Sequence, residues 1–337
     1  FNTGMMISWV CLVIFAWYCT IALSCPEQCT CYSSPNGTAV VCVSLTNFPK
    51  AIPSDTVSLS IEFTNLTNIV SEDLRGFSSL QELHLSGNQI RKLPEDFLRH
   101  LPLLHTLDLT GNLLQDLPPG VFCCSPLQNL VLKGNRFLSV NPLWFQGMSN
   151  LTWLDLSDNK LSSLPLAAFQ NLSSLKTLSL GNNKLEKLPE GCLNALPSLE
   201  ILHLDDNELS SLAPTTFDFT VRLTQLNLQD NKLKKLPQGL FQKLQRLEIL
   251  SLNDNRLTAV PLGLFDKLEV LGVETGQGLD LSGNPWKCDC EVAYLWQWLT
   301  NHKDKVFFQN KTQCATPDEL KGKPITSLTE QEVAGSC

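Results

Sequence analysis

Leucines and asparagines recur along most of the chain at fixed distances. The pattern LxxLxLxxNxL fits the sequence eight times in register, and successive asparagines are 24 residues apart with one step of 23. These asparagines are Asn88, Asn112, Asn135, Asn159, Asn183, Asn207, Asn231 and Asn255. Each unit contains an alternating leucine pair, such as Leu83 and Leu85, and alternation by two predicts a short strand with both leucines on its buried side.

A period of this length is typical of leucine-rich repeats, whose units stack because one unit cannot bury its own leucines. We therefore predict an α/β leucine-rich-repeat solenoid, a horseshoe with a parallel β-sheet on the concave face and an irregular or short-helical convex side. The asparagine amides are expected to satisfy backbone groups of adjacent turns, where each unsatisfied group would cost about 1–3 kcal/mol. Recurrent Leu-Pro pairs such as Leu93-Pro94 prevent a long helix on the convex side.

Large apolar residues lie ten positions after the asparagines and predict a buried spine along the outer side. Its members are Leu98, Phe122, Phe145, Phe169, Leu193, Phe217, Phe241 and Phe265. Trp144 precedes one of them directly and is also predicted to be buried.

Two places depart from the repeat. Thr64 stands where the first unit should have its asparagine, and the last step, from Asn255 to Asn284, lengthens to 29 residues. The longer step predicts an insertion near 273–278 that bulges out before the last strand. The predicted organisation is upstream residues and signal peptide 1–24, N-terminal cysteine cap 25–55, about nine repeats 56–284 and C-terminal cysteine cap 285–337.

Eight cysteines flank the repeats, where a solenoid would otherwise expose its core. They are Cys25, Cys29, Cys31 and Cys42 before the first repeat, and Cys288, Cys290, Cys314 and Cys337 after the last. Zinc binding is the alternative for such CxC spacings, but a secreted chain favours disulfides. Cys192 is predicted to be a buried free thiol, since about 14 Å would separate it from Cys123 and Cys124. One of that adjacent pair could link two copies of the chain.

An almost wholly apolar stretch, residues 7–23, resembles the core of a signal peptide, with small residues before Cys25. Translation would start at Met5 or Met6. A retained anchor is the alternative, although about 17 residues is at the lower limit for spanning a bilayer. We expect removal, secretion and no stable membrane insertion. Secretion would make five sequons available for glycosylation, at Asn36, Asn65, Asn150, Asn171 and Asn310.

The net charge is −8, and lysine and arginine form no dense run, which argues against nucleic acid as a partner. Residues six, four and two positions before each asparagine should point outward from the inner sheet. Acidic residues in these columns are Glu62, Glu82, Asp108, Asp155, Asp205 and Asp280, and Lys133 is the only lysine or arginine among them. We interpret this acidic stripe as a docking surface for a cationic protein. The alternative is an ordinary solvated strand face.

Aspartates also stand directly before four of the asparagines, at Asp158, Asp206, Asp230 and Asp254. For most of these the simpler interpretation is that each caps its own turn. Apolar anchors are expected in the outward columns at Trp153, Ile201 and Ile249, because charge steers docking more than it fixes affinity.

His84 and His203 also face outward, which raises the question of a metal or catalytic role. They lie five repeats apart, too far to share a ligand, and are therefore interpreted as contact residues. No GxSxG, HExxH or phosphate-loop motif is present. We expect no catalytic residues, no metal and no cofactor.

Several local motifs extend beyond the repeat pattern. They are FTNLT at 63–67, LQELHLSGN at 80–88, LDLSGNPW at 279–286 and QNKTQC at 309–314. With them, the stretch from Cys25 to Cys337 resembles the leucine-rich alpha-2-glycoprotein family, which includes the beta-type phospholipase A2 inhibitors of snake serum. The resemblance implies the disulfide pairs Cys25–Cys31, Cys29–Cys42, Cys288–Cys314 and Cys290–Cys337.

The same resemblance implies a plasma glycoprotein made in liver. For the inhibitor branch it implies binding and inhibition of basic phospholipases A2, as a homotrimer. The acidic face favours that branch. The alternatives are an extracellular signalling ligand of the family's other branch, or a small leucine-rich matrix or adhesion protein, for which no acidic Ser-Gly tract is present.

Overall fold

A computed structural model describes residues 25–123, 125–276 and 278–335, so the predicted signal segment, Cys124 and Cys337 lie outside the described residues. Short strands recur at the predicted positions. They are β1 Cys29–Ser34, β2 Gly37–Cys42, β3 Thr56–Ile61, β4 Glu82–His84, β5 Thr106–Asp108, β6 Asn129–Val131, β7 Trp153–Asp155, β8 Thr177–Ser179, β9 Ile201–His203, β10 Gln225–Asn227, β11 Ile249–Ser251, β12 Leu279–Asp280, β13 Trp286–Lys287 and β14 Cys314–Thr316.

Strands β1 to β12 form one sheet in chain order. β1 and β2 are an antiparallel hairpin, and every later neighbour in this sheet is parallel. Equivalent residues of successive repeats pair in register, as Leu83 does with Leu107. The leucine-rich-repeat solenoid predicted from the sequence is therefore confirmed. We call the solvent side of this sheet, opposite the buried leucines, the concave face.

The convex side consists of turns with two short 3-10 helices, Ser71–Leu74 and Pro142–Phe145. All eight predicted spine residues are at most 1% exposed. Trp144 is equally buried, and its Nε1 donates a hydrogen bond to Oδ1 of Asp116 at 3.2 Å. Phenylalanines stack within the spine, with 6.2 Å between the ring centroids of Phe217 and Phe241.

The repeat asparagines form a ladder of hydrogen bonds through the buried interior. Nδ2 of Asn183 donates to Leu180 O at 3.1 Å and to Leu156 O of the preceding repeat at 3.0 Å. Its Oδ1 accepts the backbone N–H of Leu161 at 3.0 Å. In the first repeat, the Thr64 hydroxyl instead donates to Oδ1 of Asn88, so the exception still joins the ladder.

Cysteine modules lie at both ends of the solenoid. The disulfides Cys25–Cys31, Cys29–Cys42 and Cys288–Cys314 are three of the four bonds that the resemblance implies. Cys290 is also disulfide-bonded, but its expected partner lies outside the described residues. The C-terminal module contains α1 Ala293–Asn301, α2 Glu330–Gly335 and the 3-10 helices Cys290–Val292, Lys303–Lys305, Gln309–Lys311, Asp318–Leu320 and Ile325–Ser327. Trp286 is fully buried there and donates to Leu281 O at 3.1 Å, which closes the core.

The lengthened step lies beside strand β11. The backbone amides of Glu274 and Thr275 donate to Oε1 of Glu248 at 2.5 and 3.1 Å, and Val273 is exposed. The Glu248 carboxylate therefore helps to hold the insertion against the preceding repeat, together with the hydrogen bond from the Leu250 N–H to Gly278 O at 2.7 Å. Of the described helices, none is long and apolar enough to cross a membrane.

Candidate binding face

Outward side chains from strands β3 to β12 build the concave face. In most of the three-residue strands a half-buried residue stands on each side of a fully buried leucine. None of the predicted contact residues is buried in the core. The strands place Glu82, Trp153, Ile201 and Ile249 in one column and His84, Asp108, Asp155, His203 and Asp280 in the next, with Glu62 and Asp205 beyond the ends of their strands.

The predicted apolar anchors do not form one continuous patch. Trp153 and Ile201 pair with the two sides of Thr177, so a polar strand separates them. Ile249 is separated from Ile201 in the same way by Gln225. Neighbouring anchors are therefore about 10 Å apart. Trp153 is 49% exposed and offers the largest apolar surface of the three.

Three of the facing aspartates have a local structural role. Oδ1 of Asp108 accepts the backbone N–H of Thr110 at 2.8 Å. Asp155 and Asp280 accept in the same way from Ser157 and Ser282, and also accept those serine hydroxyls at 2.6 and 2.7 Å. These bonds fix the direction of the carboxylates on the face.

A shallow hollow of about 300 Å³ lies at the centre of the face. Asp205 lines it, and its carboxylate lies against Gly181, where an added Cβ would meet the carboxylate oxygen at 3.0 Å. Oδ1 of Asp205 is buried without a hydrogen-bond partner, 3.6 Å from Nδ1 of His203. The missing side chain at position 181 therefore makes room for an acidic group at the base of the hollow.

The single lysine of the outward columns is already paired. Nζ of Lys133 lies 3.2 Å from Oδ2 of Asp158 at the edge of the same hollow. Asp158 also accepts a hydrogen bond from Nδ2 of Asn182 at 2.6 Å. The charge left available to a partner is therefore negative.

A further set of residues, one position before each repeat asparagine or before Thr64, has left-handed backbone geometry. We call it the turn column: Phe63, Gly87, Gly111, Gly134, Asp158, Asn182, Asp206, Asp230, Asp254 and Gly283. Its φ values lie between +49° and +68°. Among the described residues, no backbone N–H donates to the carboxylates of the turn-column aspartates. The interpretation that they cap their own turns is therefore wrong: Asp158 and Asp254 accept from neighbouring asparagine side chains instead.

Like charges stand close together in the second half of the turn column. Burial, and then the carboxylates of Asp206, Asp254 and Asp205, raise the pKa of Asp230 above its ordinary value. A proton or another cation would relieve this repulsion. The sequence showed these aspartates, but their mutual repulsion depends on the close stacking of the repeats.

At the other end of the face, Glu62, His84 and Asp108 converge. One possible ligand atom of each lies within 4.8 Å of the other two. Burial opposes ionisation of Glu62, but hydrogen bonds from Ser60 and Ser86, together with nearby His84, outweigh it and lower the pKa of Glu62. Sequence reasoning tested the two histidines only against each other, and so missed this group, which belongs to three successive strands.

The sequons and remaining cysteines lie away from the strands of the concave face. Asn36, Asn65, Asn150 and Asn310 are exposed and Asn171 is half-buried, so glycosylation stays a prediction. The predicted buried thiol is found at Cys192, whose pKa burial raises to about 11. Cys123 is exposed, and a link between two copies stays a prediction.

A family model described as "Leucine rich repeat" matches residues 56–114, 78–127, 125–185, 173–233 and 221–285. These matches span more than half of the 337 residues, and the chain therefore belongs to the leucine-rich-repeat family. Membership of the narrower leucine-rich alpha-2-glycoprotein family stays a prediction.

Relatives match over a short stretch. Carboxypeptidase N subunit 2 of Homo sapiens is 44% identical over 55 residues, covering 16% of this chain and 10% of that protein. A phospholipase A2 inhibitor of Gloydius brevicaudus siniticus is 40% identical over 55 residues, covering 16% of this chain and 17% of the inhibitor. Each alignment thus spans less than a fifth of the relative.

Among solved structures, the chain resembles one from an octameric complex of Latrophilin 3, Unc5D and FLRT2, in which FLRT2 supplies the leucine-rich repeats. The TM-score is 0.71 with 25% identity, covering 93% of this chain and 100% of that chain. The likeness extends over nearly the whole molecule.

Proposed function

We propose that the chain is a secreted protein, not an enzyme, that binds a cationic protein on its concave face. One observation carries the proposal: the facing carboxylates are accessible, while Lys133, the lysine among them, is already paired with Asp158. Disulfides at both ends support an oxidising, extracellular setting, for which we propose blood plasma.

We propose a basic phospholipase A2 as the partner and inhibition as the outcome. Phospholipase A2 inhibitors among the relatives support this choice, as does the acidic face. Surface ion pairs contribute about 0–1 kcal/mol each, so the carboxylates would mainly accelerate and orient docking. Trp153 would contribute more to affinity, because exposed aromatic residues near the centre of an interface are frequent hot spots.

The decisive experiment mixes the purified mature protein with a basic or an acidic phospholipase A2 and follows lipid hydrolysis. We expect inhibition of the basic enzyme only, weakening as salt is raised. If neither enzyme is inhibited, the inhibitor assignment fails and the extracellular signalling ligand becomes the better hypothesis. Sedimentation of the free protein separately tests the homotrimer that the family resemblance implies.

A variant with Asp108→Asn, Asp155→Asn and Asp205→Asn tests the face itself. Asparagine retains an acceptor oxygen for the local bonds of Asp108 and Asp155, so the change removes charge with little loss of structure. Association with the basic enzyme should slow by about tenfold or more at low salt. The matched control removes three exposed charges elsewhere, with Glu72→Gln, Glu190→Gln and Glu319→Gln. Equal slowing in both variants would mean that only net charge matters.

A further inference from the structure

Glu62, His84 and Asp108 offer one imidazole and two carboxylates at the N-terminal end of the concave face. β4 and β5 pair His84 directly with Asp108, and Glu62 follows β3 on the other side of His84. The group is the one set of three metal-ligating side chains found close together in residues 25–123, 125–276 and 278–335. We propose that these three side chains form a binding site for a zinc-like divalent metal ion.

The distances are compatible with a metal ion after small side-chain movements. Candidate ligand atoms lie within 4.8 Å of one another. Ligands of a zinc ion, bound at about 2.0–2.2 Å, stand about 3–3.5 Å apart. All three side chains are half-buried, so they are partly shielded from water.

The surroundings favour a bound cation. Ser60 Oγ donates to Oε2 of Glu62 at 2.6 Å, and Ser86 donates to the other oxygen, which orients this carboxylate. Oδ1 of Asp108 is oriented by the backbone N–H of Thr110. Glu82 adds a further carboxylate, with Oε2 at 3.6 Å from Nε2 of His84. Hydrogen bonds of this kind hold metal ligands in place in known sites.

The donor set selects the type of metal. Calcium and magnesium prefer shells made of oxygen atoms alone, whereas an imidazole with carboxylates suits zinc and neighbouring transition metals. Three protein ligands leave at least one coordination position for water or for a group from a partner. The site therefore goes beyond the proposed function and would exist without phospholipase A2.

His203 provides a control within the same column. Its ring also stands 3.6 Å from a carboxylate, that of Asp205. The neighbouring strands, however, present Ser179 and Asn227 beside it, so no second carboxylate arrives from an adjacent strand.

The test is a zinc titration by calorimetry of the full mature protein without a polyhistidine tag. Wild-type protein should bind one zinc ion more tightly than any further zinc ion. It should bind calcium and magnesium far more weakly than zinc. His84→Asn and Asp108→Asn should each weaken that tight binding by about tenfold or more, and His203→Asn should leave it unchanged. The absorption spectrum of the cobalt-substituted protein should show the bands of a low-symmetry metal site. His84→Asn should abolish these bands.

Thermal unfolding in a metal chelator separates loss of ligands from loss of folding, because the variants should then unfold as the wild type does. The proposal is overturned if the wild type binds no zinc tightly, or if His84→Asn binds zinc as the wild type does. It is also overturned if His203→Asn shows the same loss, because zinc would then be held elsewhere. None of these outcomes depends on inhibition of phospholipase A2.

Discussion

The two halves of the turn column use different residues for the same left-handed backbone geometry. In the first half the left-handed positions that follow Phe63 are filled by Gly87, Gly111 and Gly134, with φ near +65°. In the second half, from Asp158 to Gly283, aspartates occupy four of the six positions, with φ between +50° and +55°. Glycine adopts this geometry without strain, whereas a residue with a Cβ does so at a cost of order 1 kcal/mol or more.

The second half therefore carries negative charge that the turn geometry alone does not require. Glycine would serve the turn equally well, as it does at Gly111. Aspartate adds backbone strain, and burial together with repulsion from neighbouring carboxylates raises the pKa of Asp230. We interpret the second half as the part of the face where negative charge is concentrated for a partner.

The largest expected effect is on the stability of the fold and concerns the asparagine ladder, which runs through both halves. Asn112→Ala in the first half and Asn207→Ala in the second should each destabilise the protein by at least about 3 kcal/mol, because several buried backbone groups lose their partners. Denaturant unfolding measures the loss. Asn194→Ala, at an exposed position, is the control and should change little. A much smaller loss in one half would show that its turn residues, not the ladder, hold it together.

The sequence predicted this shared framework of strands and asparagine ladder well, because every repeat carries the leucine and asparagine pattern again. Eight asparagines and the leucines around them gave strand positions, the buried spine and the outward columns. Functional geometry was harder to predict. Convergence of Glu62, His84 and Asp108 depends on the register of three strands from different repeats, and repulsion at Asp230 depends on side-chain packing across repeats. Neither leaves a trace in the sequence of a single repeat.

The second largest effect concerns association. A variant with Asp206→Asn, Asp230→Asn and Asp254→Asn should bind a basic phospholipase A2 about tenfold more slowly at low salt. A variant with Glu62→Gln, Glu82→Gln and Asp108→Asn removes the same charge from the first half and should slow association less. Surface plasmon resonance over a range of salt concentrations measures both. If the first-half variant slowed association more than the second-half variant, our assignment of the partner's main contact to the second half would be wrong.

A smaller effect is expected from exchanging the turn residues. Asp230→Gly should raise the free energy of unfolding by about 1 kcal/mol, because it removes both backbone strain and repulsion. Gly111→Asp should lower it by a similar amount. An added Cβ at Gly111 finds its nearest atom, Gly87 N, at 3.5 Å, so the loss comes from backbone strain and not from a clash. Changes of the same sign in both variants would contradict this account of the turn column.

The smallest effect is the contribution of the Asp230 charge alone, which Asp230→Asn isolates because asparagine also tolerates left-handed geometry, as Asn182 does. The pKa of Asp230 is raised on folding, so the ionised carboxylate destabilises the folded state above that pKa, and protonation removes the penalty as pH falls. The variant should therefore be slightly more stable than the wild type at neutral pH. That advantage should shrink as pH falls through the folded pKa and vanish below the ordinary aspartate value of 3.8. Thermal unfolding of both proteins from pH 7 to pH 3 measures the difference, and an advantage that grows on acidification would contradict the repulsion between stacked repeats.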